Sequence, residues 1–198
     1  MKLVVWSLNW HLNIGRKKIN IFHLHKDPVI CAEMHIDKHV VKMPIEYAQL
    51  MSTAHRVLDG ELYLGKTINN RNIKRWRLSD ERENVLYKAS HINHPSAIWV
   101  RESVENYLQM YKLYKATLAE YTTRYGKVHG STKPAELLKT PPLNIPFKKG
   151  TPMPQCMPDD CKVAGNPILA YRKYYIMEKH NIATWKYREK PKWYRTTT

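Results

Sequence analysis

The sequence predicts a mainly α-helical single domain, opened by a short extended segment and interrupted by a proline-rich loop. Two observations predict it. Apolar residues recur at three- and four-residue spacing through Cys31–Arg56 and again through Val100–Tyr121, the period of a helix with one buried face. Helix-opening dipeptides stand at Asp27-Pro28 and Asn166-Pro167, where a polar side chain precedes a ring that needs no N–H partner, and the turn Asn93-His94-Pro95-Ser96 precedes another helix start. At 198 residues the chain is long enough for one apolar core without covalent staples.

Residues 1–18 read as an arm, a short strand or irregular stretch ending in Arg16-Lys17-Lys18. Asn9, His11 and Asn13 interrupt its apolar residues and no small-residue cleavage site follows, so a signal peptide is not expected. Residues 19–24 (INIFHL) form a buried strand or extended segment. The helix opening at Asp27-Pro28 carries the central stretch to about Leu58, and Asp59-Gly60 ends it. Pro44 either kinks that helix or starts a second one.

Glu61–Leu78 is a basic loop or short hairpin around Trp76, and Ser79–Ser90 a short helix with a capping-type start. The longest helix begins at Pro95 or Ser96 and stops at Tyr125-Gly126. The turn Arg124–Gly130 is either a helix cap with cations near the negative dipole end or a phosphate site; the P-loop spacing is absent. Six prolines make Thr140–Pro158 an extended loop, and a last helix runs from Asn166-Pro167 to about Lys179. Residues 19–180 are thus the domain, and 181–198 a tail alternating cations with aromatics.

Lysine and arginine number 33 against 17 acids, a formal net charge of +16. Such an excess opposes compaction by self-repulsion and answers a polyanion. Thirteen tyrosines and six tryptophans among the cations suit stacking on bases, so nucleic acid is the expected partner. A membrane is not, since no run reaches the roughly 18 apolar residues of a span. Three irregularly spaced cysteines predict reduced thiols and a cytoplasmic setting. Cys156 and Cys161 lack zinc spacing, and neither metal nor other cofactor is expected.

Within the central stretch His35, His39, Lys42 and Glu46 recur along one helical edge, flanked by Asp37 and Lys38. Groups of different proton affinity on one edge shift each other's protonation, which is either a catalytic arrangement or a solvated face with incidental histidines. The second face, Ile36, Val40, Met43, Tyr47, Leu50 and Ala54, belongs in the core. Asn93-His94 and Arg101 can reach the same site from the longest helix. Phosphate or base contacts are expected at Arg71, Lys74, Arg75, Trp76 and Arg77, at Arg101, Arg124, Lys127 and His129, and on the tail at Lys186, Arg188, Lys192 and Trp193.

The runs HIDKHVVKMPIEYAQLMSTAHR, NHPSAIWVRES and RYGKVHG, with the KPKWY ending, resemble a group of phage-encoded proteins. More distantly, the INIFHL segment, the carboxylate-bearing helix after it, the Asn-His-Pro turn before a long helix and the Pro-x-Trp-Tyr close resemble pyrimidine dimer DNA glycosylases of the phage endonuclease V type. That resemblance implies a base-excision enzyme, a DNA glycosylase with AP lyase activity that acts on damaged or modified bases and has double-stranded DNA as its partner. The family attacks the sugar with its own α-amine beside a catalytic Glu. Some twenty residues precede the corresponding segment here, so a lysine is expected to replace that amine.

On this reading Lys38 or Lys42 is the nucleophile, Glu46 or Asp37 the carboxylate, and His35, His39 and His94 move protons to the leaving base. Trp76 would fill the gap in the base stack. Two other expectations stand beside it: a non-catalytic nucleic-acid-binding protein, and a metal-dependent nuclease built on His35, His39 and Asp37 or Glu46.

Overall fold

A computed structural model describes residues 19–194; the expected arm 1–18 and the last four residues lie outside them. The fold is mainly α. In chain order come α1 (Pro28–Glu33), α2 (Asp37–Asp59), β1 (Glu61–Lys66), β2 (Asn72–Arg77), α3 (Arg82–Val85), α4 (Pro95–Glu102), α5 (Val104–Tyr125), α6 (Ala135–Lys139) and α7 (Pro167–Glu178). Residues 19–27 are extended and lead into α1, which Asp27 caps by accepting from the Val29 and Ile30 amides.

The central stretch is two helices, not one. α1 stops at Glu33, His35 sits in the break, and α2 begins at Asp37. The backbone groups this break frees are satisfied by one local side chain and by distant parts of the chain. His35 Nδ1 donates to the Cys31 carbonyl, Arg124 to that of Glu33 and Trp185 to that of Met34, while the Asp37 amide donates to Thr184. α2 then runs unbroken through Pro44.

α2 is the central post of the molecule, packed against α4 and α5, with α1 also on α5. Its expected apolar face, Ile36, Val40, Met43, Tyr47, Leu50 and Ala54, is wholly buried. Tyr107, Met110 and Tyr114 of α5 and Tyr171 and Tyr175 of α7 complete the core.

The expected longest helix is also divided. Ser103 adopts extended dihedrals and its hydroxyl accepts from the Asn106 amide, so α4 ends at Glu102 and Ser103 caps α5. Asn106 in turn bonds the Trp99 carbonyl and Thr151, tying the proline-rich loop to the junction. α5 ends at Gly126, whose φ of 64° is a left-handed conformation that a Cβ disfavours. Ser79–Ser90 yields only the single turn of α3.

β1 and β2 form an antiparallel hairpin, resolving the loop-or-hairpin alternative. The described tail is docked: Trp185 and Trp193 pack against the core, and Trp193 Nε1 donates to Met34 sulfur.

Candidate functional site

A pocket of about 320 Å³ is lined by Asn20, Phe22, Lys38, His39, Lys42, Glu46, Tyr174, Lys179 and Ile182. α2 supplies its polar edge. Lys38 and Lys42 are exposed one turn apart, and Glu46 follows one turn on with its carboxylate buried. Lys42 Nζ lies 2.7 Å from Glu46 Oε1, and the Asn20 backbone amide donates to Oε2 at 3.2 Å.

The Asn20 side chain is fixed in turn. It donates to the Cys156 carbonyl at 2.9 Å, and its oxygen accepts from Ile21 N and the Tyr171 hydroxyl. From α7, Tyr174 closes one wall, with Lys179 Nζ 4.5 Å above its ring. Three lysines therefore border one carboxylate, leaving the pocket cationic.

His39 forms the floor, stacked on Phe22 with ring centroids 4.1 Å apart and Nδ1 bonded to the Tyr175 hydroxyl at 2.6 Å. Burial, and then the nearby His35, Lys179 and Lys42, hold its proton affinity well below the usual histidine range. His39 is thus neutral at physiological pH and resists protonation, so it does not carry protons to a leaving base and offers the pocket only a neutral ring for hydrogen bonding.

Other expected catalytic residues lie elsewhere. His35 is fully buried between the Cys31 carbonyl and the Tyr47 hydroxyl, and burial lowers its pKa to about 4. Asp37 is buried at the α2 N-terminus, accepting from Arg124 at 3.0 Å and from the Lys186 amide at 2.9 Å, which leaves it no access to a substrate. The donor set of the nuclease expectation is therefore dispersed, and among the described residues no group of three or more His, Cys, Asp or Glu side chains converges to hold a metal.

His94 lines a neighbouring depression with Ile19, Cys156 and Lys162; the two meet at Tyr174, and Ile19 and Asn20 line one each. His94 Nδ1 accepts from Ser96, capping α4, and burial, with His91 nearby, lowers its pKa.

Among the expected nucleic-acid contacts, Arg124 is buried, bonded to Asp37, Glu120 and the Glu33 carbonyl, and cannot meet a phosphate. His129 donates to the Val41 carbonyl and caps the turn at Gly130, whereas Lys127 is exposed beside it. Arg101 is half-buried, with one guanidinium nitrogen lacking a partner among the described residues. Arg188 grips Glu120 with two bonds, and Trp193 lies under Arg172, so both hold the tail down; Lys186 and Lys192 are exposed. Arg71, Lys74, Arg75 and Arg77 stand on the hairpin, and Trp76 is half-buried at its base.

Sequence reasoning missed Asn20, Tyr174 and Lys179 as pocket residues. Tyr174 and Lys179 belong to a helix read only as a mixture of aromatics and cations. Asn20 carries no signal, because it acts through its backbone nitrogen. No family model, curated protein or solved structure significantly matches the chain.

Proposed function

We propose that the protein is a base-excision enzyme acting on DNA, with the pocket around Glu46 as its active site. The observation that carries this reading is a buried carboxylate held 2.7 Å from a lysine amine inside a cationic pocket. Lys42 is the nucleophile. Glu46 takes its proton, and the free amine attacks C1′ of the deoxyribose. The glycosidic bond breaks toward the base, which leaves with the proton held on Glu46. The new C1′ ammonium then passes its proton through the Glu46 carboxylate to the ring oxygen O4′ as the sugar opens, and water later hydrolyses the resulting iminium and frees the lysine. Lys38 and Lys179 neutralise the flanking phosphates, and neutral His39 offers a hydrogen bond at the pocket floor.

The resemblance to the endonuclease V type agrees with a nitrogen beside a glutamate. The nitrogen on Glu46 Oε2 is the Asn20 amide, however, whose lone pair is delocalised into its carbonyl and is no nucleophile. Lys42 fills that role.

Borohydride reduction in the presence of an abasic-site duplex tests this. A covalent protein–DNA adduct is expected, with the modified peptide containing Lys42, and its yield should collapse in Lys42→Ala. If neither an adduct nor base release is found across lesion-bearing duplexes, the enzymatic reading fails and a nucleic-acid-binding protein remains.

A further inference from the structure

The hairpin stands apart from the pocket and is little covered by the body. Its cations number five, Lys66, Arg71, Lys74, Arg75 and Arg77, against the single carboxylate of Glu61. Among the described residues none of the five forms an ion pair, although the body of the protein pairs Arg56, Arg82, Arg124 and Arg188 with acids.

The register sorts the side chains onto two faces. Glu61 opposes Arg77, Tyr63 opposes Arg75 and Gly65 opposes Ile73 on one; Leu62 opposes Trp76 and Leu64 opposes Lys74 on the other. On the first face the Arg77 guanidinium lies 5.0 Å over the Tyr63 ring. A Cβ at Gly65 would meet Arg75 Cγ at 3.0 Å, so the absent side chain lets Arg75 lie across the ribbon.

The tip is ordered by its own bonds. Thr67 N donates to the Arg71 carbonyl and Asn70 N to that of Thr67; Arg71 N donates to Thr67 Oγ1, and Asn70 takes a φ of 55°. This is the three-residue hairpin loop with a left-handed last residue, which asparagine tolerates. Ile68 at its apex is fully exposed. A two-stranded sheet with both faces wet is marginal by itself, so this preorganised, cationic ribbon is suited to a partner.

We propose that the hairpin Glu61–Arg77 is a groove-docking ribbon for double-helical DNA, with Arg75 and Arg77 on its binding face and Arg71 at its tip; the inference rests on the nucleic-acid reading above. Charge complementarity selects a polyanion, and shape selects the duplex. The major groove, about 12 Å wide, admits a two-stranded ribbon, and arginines two residues apart on a strand repeat every ~6.8 Å. The ribbon thereby supplies affinity for undamaged duplex away from the excision pocket.

Binding of a lesion-free duplex, and of one of its strands alone, tests this across a salt series. The probes are the full chain, the triple variant Arg71→Gln/Arg75→Gln/Arg77→Gln, and a control with the same charge change at exposed sites, Lys115→Gln/Lys133→Gln/Lys139→Gln. Thermal melting verifies that all three are folded. The ribbon variant should lose duplex affinity well beyond the control, and its log–log salt slope should become shallower by about 0.9 per phosphate contact removed.

Equal losses in the two variants overturn the proposal, as does an equal loss on single strand and duplex. Tighter binding of the full chain to phosphatidylserine vesicles than to duplex overturns it too. The assay involves no chemistry. A ribbon effect without borohydride trapping therefore sinks only the enzymatic reading, and trapping without a ribbon effect sinks only the ribbon.

Discussion

Asp37 and Arg124 stand 87 residues apart in the chain and 3.0 Å apart in the fold. Arg124 also bonds Glu120 at 2.6 Å and the Glu33 carbonyl at 2.8 Å, and Glu120 receives Arg188 of the tail. One guanidinium thus joins the end of α1, the start of α2, the last turns of α5 and the C-terminal segment.

Removing that cation takes from buried Asp37 its ion pair and leaves Glu120 with Arg188 alone. Arg124→Met should cost about 3–5 kcal/mol, the usual penalty for orphaning a buried charge. Arg188→Ala, at the half-exposed end of the network, should cost about 1 kcal/mol or less. Denaturant unfolding of both variants measures the difference.

Acid should destabilise the protein well before its carboxylates titrate. Burial lowers the pKa of His35 and of His55 from 6.5 to about 4, with Arg82 adding to the effect at His55. Both are folded as neutral rings and take up protons more readily when unfolded. Their stabilisation is therefore complete above pH 6.5 and is lost as pH falls toward 4. The slope is about 1.4 kcal/mol per pH unit for each histidine. His35→Gln should flatten the stability profile across this window, as followed by guanidinium unfolding at successive pH values.

Arg56 holds the base of the hairpin. Its guanidinium is buried and donates to the carbonyls of Tyr87, Trp76, Glu83 and Leu86 and to the Glu83 carboxylate. Arg56→Ala should cost at least about 3 kcal/mol. Gly60→Ala should loosen the same junction, because its Cβ would meet the Arg56 carbonyl at 2.5 Å and that of Arg77 at 3.1 Å. Hydrogen exchange of the 72–77 amides should accelerate in both variants.

Glu46→Gln retains an acceptor for the Asn20 amide but loses the base that frees Lys42. Trapping and base release should fall by roughly 10²–10⁴-fold while thermal stability changes little. Activity at the wild-type level would remove Glu46 from the mechanism.

Along α2 the polar edge was legible as far as the helix is continuous. Lys38, His39, Lys42 and Glu46 share a pocket because three- and four-residue spacing places them on one side. His35 fell outside that edge because the helix breaks before Asp37, at a point stabilised by Arg124, Thr184 and Trp185. No residue near the break announces it. The Ser103 break did carry a local signal, a capping serine followed by Glu105 in the first turn, hidden within a continuous apolar stripe.

What the amino-acid sequence determined by itself was whatever depends on neighbours a few residues away. The helical class, the proline-opened starts at Pro28, Pro95 and Pro167, the buried face of α2 and the cationic surplus are of this kind. The tertiary structure alone decided which charges are available. Arg124 and Asp37 were equal to any other charged pair in the sequence, and became interior only because α5 and the tail close over them. Lys38, Lys42, Arg71 and Arg77 stayed exposed. Burial and ion pairing depend on residues a hundred positions away, which local periodicity cannot report.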